Sequence, residues 1–118
     1  MPLPAAVLDD LLAYACALPG ASFDVKWGSE RVASIGGKMF LLCGGGALSY
    51  KVADEDFLML SGLPGARPAP YLARARWIQV SDTEALSPDE LRQGIARSRE
   101  LVLRKLPKAL RGQYGEQA

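Results

Sequence analysis

The 118-residue chain contains no histidine. Imidazole is the side chain that exchanges protons most readily near neutral pH, and it is the commonest metal ligand. Its absence excludes Ser-His-Asp and Cys-His catalysis and any histidine-bearing zinc site, while carboxylate or lysine chemistry stays open. Cysteine is scarce too. Cys16 and Cys43 form neither a disulfide framework nor a metal knuckle. Both lie inside apolar patterns, where small buried hydrophobes are expected. Long apolar runs are missing, since nothing approaches the roughly 20 residues that span a bilayer. Met1-Pro2-Leu3-Pro4 carries no basic residue and leads into Asp9 and Asp10. No signal peptide and a cytoplasmic location are therefore expected.

What is present is a soluble, globular balance of 49% hydrophobic and 23% charged residues. Two domains would leave each half too little core, so one domain over 1–118 is expected. The net charge of +1 is unevenly spread. Residues 1–66 carry four bases against seven acids, whereas residues 67–111 carry ten bases against five acids. A basic half of this kind suits a polyanion or an acidic protein partner, and mild asymmetry also occurs on plain surfaces.

Leu8, Leu11, Leu12, Ala15 and Leu18 recur at helical spacing until Pro19-Gly20, which predicts a first amphipathic helix. Phe23, Val25 and Trp27 then alternate with Asp24 and Lys26, the pattern of a half-buried strand ended by Gly28. Arg31 to Ile35 reads as a second strand, Gly36-Gly37 as a hairpin turn, and Lys38 to Cys43 as a third, central strand. Gly44-Gly45-Gly46 leads into a fourth strand, Ala47 to Val52. A phosphate-binding loop needs Gly-x-x-x-x-Gly-Lys-Ser/Thr entering a helix. These glycines enter a strand, so they read as a turn.

Asp54-Glu55-Asp56 opens a short helix ending near Gly62, and Gly62 to Tyr71 reads as an ordered irregular loop. A strand follows over Arg76 to Val80. Ser87-Pro88-Asp89-Glu90 is a capping-box helix start. That helix should run to about Leu106, burying Leu91, Ile95, Val102 and Leu106, with Lys108 to Arg111 as a further turn before a frayed tail. The predicted order is α-β-β-β-β-α-β-α. This is an α+β fold of two layers, an antiparallel meander covered on one face by helices.

Several short segments together resemble the MmcQ/YjbR family. They are Leu18-Pro19-Gly20, Trp27-Gly28, Gly36-Gly37-Lys38-Met39-Phe40, Lys51, the Arg67-Pro68 to Tyr71-Leu72 loop, Trp77 and Leu106-Pro107-Lys108. The resemblance covers nearly the whole chain. It implies a two-layer α+β fold related to secretion-chaperone-like and frataxin-like sheets. For function it implies DNA binding through a double-wing shape. The family often has a basic pair and a histidine before the tryptophan that matches Trp77; here the stretch is Arg74-Ala75-Arg76. Basic character is kept, and any imidazole role is lost.

DNA is thus one expected partner. The candidate contacts are Lys38, Lys51, Arg67, Arg74 and Arg76, with Tyr71 and Trp77 interleaved. Arginine forks match phosphates, and aromatic rings offer stacking surfaces. Lys38 also suits a hairpin residue that blunts an edge, and Trp77 suits plain core. On the last helix Arg92 and Arg99 fall on one flank of the apolar stripe and Arg97 and Arg104 on the other. That placement reads as snorkelling around a core-facing helix. A second expectation is a protein partner held on exposed sheet or helix surface, with Tyr71, Leu72 and the loop prolines as a patch. Catalysis ranks last. Asp24, Glu30, Lys38, Lys51 and Tyr50 are the candidate groups, and no spacing among them demands a reaction. No cofactor and no metal are expected.

Overall fold

The computed structural model of the chain describes residues 3–114, so Met1-Pro2 and residues 115–118 of the expected tail lie outside the described residues. Helix α1 (Ala5–Cys16) leads into four strands, β1 (Ala21–Lys26), β2 (Glu30–Ile35), β3 (Lys38–Gly44) and β4 (Ala47–Lys51). Glycine pairs crease this ribbon. Gly36 and Gly37 have φ of 58° and 81°, and Gly45 and Gly46 have 61° and 77°. Two consecutive positive φ values match the twist of the strands they join, and glycine reaches them without steric penalty. Helix α2 (Asp54–Ser61) follows, then β5 (Ala66–Pro68), a single 3-10 turn (Ala73–Ala75), β6 (Trp77–Val80), α3 (Pro88–Leu103) and α4 (Lys108–Gln113). None of the helices among the described residues is long and apolar enough to cross a membrane.

All six strands form one antiparallel sheet in the order β1-β2-β3-β4-β6-β5. The sixth strand corrects the sequence reading, which left Gly62 to Tyr71 irregular. Residues 66–68 pair with β6 along the sheet edge. A three-residue strand holding Pro68 has no alternation to read, and proline is tolerated there because the segment is an edge. The first strand needs the opposite correction. It forms where expected, but Phe23 and Val25 are 53% and 48% exposed. Trp27 lies in the turn after the strand and is 69% exposed.

Residues paired across antiparallel strands project to one face. Ala33, Leu41, Cys43, Leu48, Tyr50, Ile78 and Val80 therefore share the face that meets the helices. Leu8, Leu11 and Leu12 of α1 and Leu91, Ile95 and Val102 of α3 close over it. Each such side chain, fully buried, contributes about 1.5–3 kcal/mol. The long helix begins as its sequence dictates: Ser87 Oγ accepts from Glu90 N at 3.2 Å, and Ser87 N donates to Glu90 Oε1 at 3.1 Å. Midway along it, a Cβ on Gly94 would stand 2.7 Å from the Tyr50 ring, so only glycine lets helix and strand approach this closely.

A register shift in the β2–β3 ladder between Ala33 and Ser34 leaves the Phe40 carbonyl free for another partner. Ser98, wholly buried on α3, supplies it. Its Oγ donates to Phe40 O at 2.7 Å and accepts from Lys51 N at 2.9 Å, joining β3 and β4 to the helix. Arg99 does not snorkel, contrary to the sequence reading. Its side chain is buried and its guanidinium donates to Pro19 O, Tyr114 O and Glu100 Oε1. Pro19 lies past the end of α1, where a carbonyl needs a partner from outside the helix, and a charged fork supplies it.

Candidate functional site on the open face of the sheet

Among the described residues, the α-helices that close the core pack on that first face and leave the other to the 3-10 turn and its flanks. Asp24 opposite Val32, Val32 opposite Leu42, Ser49 opposite Gln79 and Lys51 opposite Trp77 place these residues on that other face. Part of that face is covered by the connection between β5 and β6. Ala69 N donates to Trp77 O at 3.0 Å, Trp77 N to Leu72 O at 3.3 Å and Arg76 N to Ala73 O at 2.9 Å. These bonds fold residues 69–76 back as a compact flap. Arg76, with φ of 65°, turns the chain from the 3-10 turn into β6. Lys51 Nζ, from the end of β4, donates to Ala75 O and ties the flap to the sheet. Beneath the flap Trp77 is only 4% exposed.

Two depressions flank the flap and share Met39 and Leu72 as their dividing wall. The first is a cleft of about 540 Å³ that brings Lys38, Lys51 and Lys105 together with Trp77 and Val102. Lys38 opens β3, Lys51 closes β4, and Lys105 follows the last turn of α3, so three elements deliver one charge each. The electrostatics record the crowding. Burial pushes the Lys51 ammonium below its ordinary pKa, the charges of Lys105 and Arg76 push it further, and Asp54 opposes them. A smaller depression of about 240 Å³ shares Lys51 and Lys105 and is lined also by Arg97, Arg104, Asp54 and Glu55.

The second depression is a groove of about 470 Å³ lined by Trp27, Glu30, Met39, Leu42, Tyr71 and Leu72. Its rim aromatics are open to solvent, Trp27 at 69% and Tyr71 fully. Both are also held at positive φ, 50° and 66°. Glu30 reaches across β3, with its carboxylate where a Cβ on Gly44 would be.

Of the seven residues singled out from the sequence, Lys38, Lys51 and Trp77 meet in the lysine cleft, and Tyr71 stands on the neighbouring groove. Trp77 is buried there, with no free ring face. Arg67 lies on the edge strand with Nε donating to Gln79 Oε1 at 2.8 Å. Arg74 is exposed on the 3-10 turn. Arg76 turns toward α2, 3.3 Å from Asp54 and 5.4 Å above the Phe57 ring. Lys105 of the cleft and Trp27 of the groove are among the lining residues that were not in the seven. Lys105 reads in sequence as one more base near a helix end, and its only signal is its spacing of three from the core residue Val102. Trp27 reads as the inward-facing end of a strand, although the glycine beside it marks a turn.

Neither cysteine stands at this site. Burial pushes the Cys43 thiol up to about 12, which leaves it protonated and inert near neutral pH. Among the described residues, no group of three His, Cys, Asp or Glu could hold a metal ion.

An antiparallel sheet with helices on one face and a flap on the other is the architecture of a small α+β protein. The family model named YjbR matches residues 16–101, and the chain belongs to the YjbR family. Among solved structures it is similar to a protein from Pseudomonas syringae, with 21% sequence identity and a TM-score of 0.65. That alignment covers 79% of this chain and 96% of the other, and it supports the fold. No curated protein matches the chain.

Proposed function

We propose that this protein is a DNA-binding module that takes up backbone phosphates in the lysine cleft, with no catalytic step of its own. The observation that carries the reading is the convergence of Lys38, Lys51 and Lys105 on one depression. Lysines crowded on a partly buried site repel one another, and an anion placed among them relieves that repulsion. Arg74 on the exposed turn and Arg97 and Arg104 beyond Lys105 extend positive charge to either side, where a chain of phosphates would run. Lys38 follows the Gly36-Gly37 turn directly, so that hairpin acts as a wing with a cation at its base.

Binding of this kind depends on salt. In a titration with labelled DNA at two salt concentrations, affinity should fall as salt rises. Lys38→Ala and Lys105→Ala should each reduce the slope of log K against log salt by about 0.7–0.9, the share of one phosphate contact. Absence of binding at low salt, or slopes unchanged in both variants, would remove the proposal.

The exposed aromatic groove favours a second reading, a module that holds a protein partner on this face. A partner recovered on the intact protein after nuclease treatment, and lost with Trp27→Ala, would support that reading over the first.

A further inference from the structure

The lysine cleft and the aromatic groove are adjacent, separated only by Met39 and Leu72, and their chemistry is complementary. One holds three cations. The other holds two exposed rings and a carboxylate. Resting on the phosphate-binding reading above, we infer that the ligand is single-stranded nucleic acid, its phosphates in the lysine cleft and its unpaired bases stacked on Trp27 and Tyr71.

Four observations carry this. The first is exposure: Tyr71 is fully exposed and Trp27 is 69% exposed, so neither ring serves the core. Backbone conformation is the second. Of the three non-glycine residues at positive φ among the described residues, two are these aromatics. That conformation costs a side-chain-bearing residue about 1–2 kcal/mol, and an exposed ring returns nothing to the fold in exchange. The third is shape. Duplex readers insert a convex helix or ribbon into the major groove, whereas these rings rim a concave groove. Base faces inside a duplex are already stacked on each other and cannot meet them; bases of a single strand can. The fourth is the sorting of charge. Glu30 lies in the groove, where it would repel phosphates but could accept a hydrogen bond from an exocyclic base amine. Lysines mark the backbone side and the carboxylate marks the base side, which fixes how a strand lies across the flap.

The groove volume of about 470 Å³ falls within the range of about 300–1,000 Å³ that holds compact organic ligands. A duplex bound by its phosphates alone would leave the groove empty.

The test is a titration of the intact protein with a mixed-sequence single strand, the matching duplex and inorganic polyphosphate. Tryptophan emission and anisotropy are followed together. The single strand should bind more tightly than the duplex and quench the emission, and polyphosphate should bind without quenching. Tyr71→Gly should weaken single-strand affinity about tenfold, the effect of one lost base stack, and Tyr71→Phe should retain it. The glycine variant should melt no lower than the parent protein, because glycine removes the positive-φ strain and no buried surface is lost. In Trp27→Phe the quenching should disappear while binding persists, since the remaining Trp77 is buried.

Equal affinity for duplex and single strand, with Tyr71→Gly unaffected, would overturn the stacking inference and leave the phosphate reading standing. If none of the three polyanions binds, both fail.

Discussion

Two buried side chains on the helix-facing side of the sheet make the protein sensitive to alkali. Burial raises the Cys43 thiol from 9.0 to about 12, and burial together with Glu90 raises the Tyr50 phenol from 10.0 to about 12. Both groups are neutral in the folded and unfolded chains well below pH 9. As pH rises from about 9 for Cys43 and about 10 for Tyr50 toward 12, the unfolded chain releases these protons while the folded chain keeps them. Stability contributed by the two groups is therefore complete below that window and falls through it, on the order of 1 kcal/mol per pH unit for each group. Lys51 works in the other direction. Its folded pKa is lowered, so its burden on stability eases as pH rises from the folded value toward the ordinary 10.5. Denaturant melts between pH 8 and pH 12 should show a net loss, and Cys43→Ala should lessen its slope. An unchanged slope in that variant would show that the thiol does not drive the effect.

Strand β1 shows how little an element's existence says about its energetic weight. Its alternation of apolar and polar residues was legible, and the strand forms at the expected place. Alternation reveals that one face is apolar; it cannot reveal whether a helix lies over that face. Helix α1 covers Leu41 and Cys43 more fully than the edge strand, and Phe23 stays half in water. Phe23→Thr should therefore shift stability by less than about 1 kcal/mol. Phe40→Ala, at a position with no exposure, should remove about 3–5 kcal/mol in the same chemical-denaturation assay. Comparable losses would mean that β1 packs as a central strand does. Elements with strong local signals were readable: the capping box of α3, the glycine pairs of the hairpins and the periodic stripe of α1. Strand β5 was not, because three residues around a proline acquire their identity only by pairing with β6.

At the scale of the whole molecule, cations from both halves of the chain come together as one cleft only through folding. The sequence placed Lys38 and Lys51 at neighbouring strand ends because a meander returns on itself, and that much of the cleft was legible. Lys105 was not, since its distance from Lys51 is set by the angle at which α3 crosses the sheet. Nor was the flap, which is folded by backbone bonds among residues 69–77. The crossing is held at one point by Ser98, which bonds to Phe40 in β3 and to Lys51 in β4. Those are the two strands that carry cations to the cleft, and Lys105 rides on the turn after the same helix. A hydroxyl with no access to solvent thus acts as a gauge, fixing the distances between three ammonium groups that it never touches. Ser98→Ala should leave every exposed residue unchanged. It should cost about 1–3 kcal/mol of stability through the two backbone groups it strands. On the phosphate-binding proposal it should also shorten the residence time of a bound polyanion, as dissociation kinetics would show. The spacing of the cleft's cations is then set in the dry interior, by a side chain that no solvent molecule reaches.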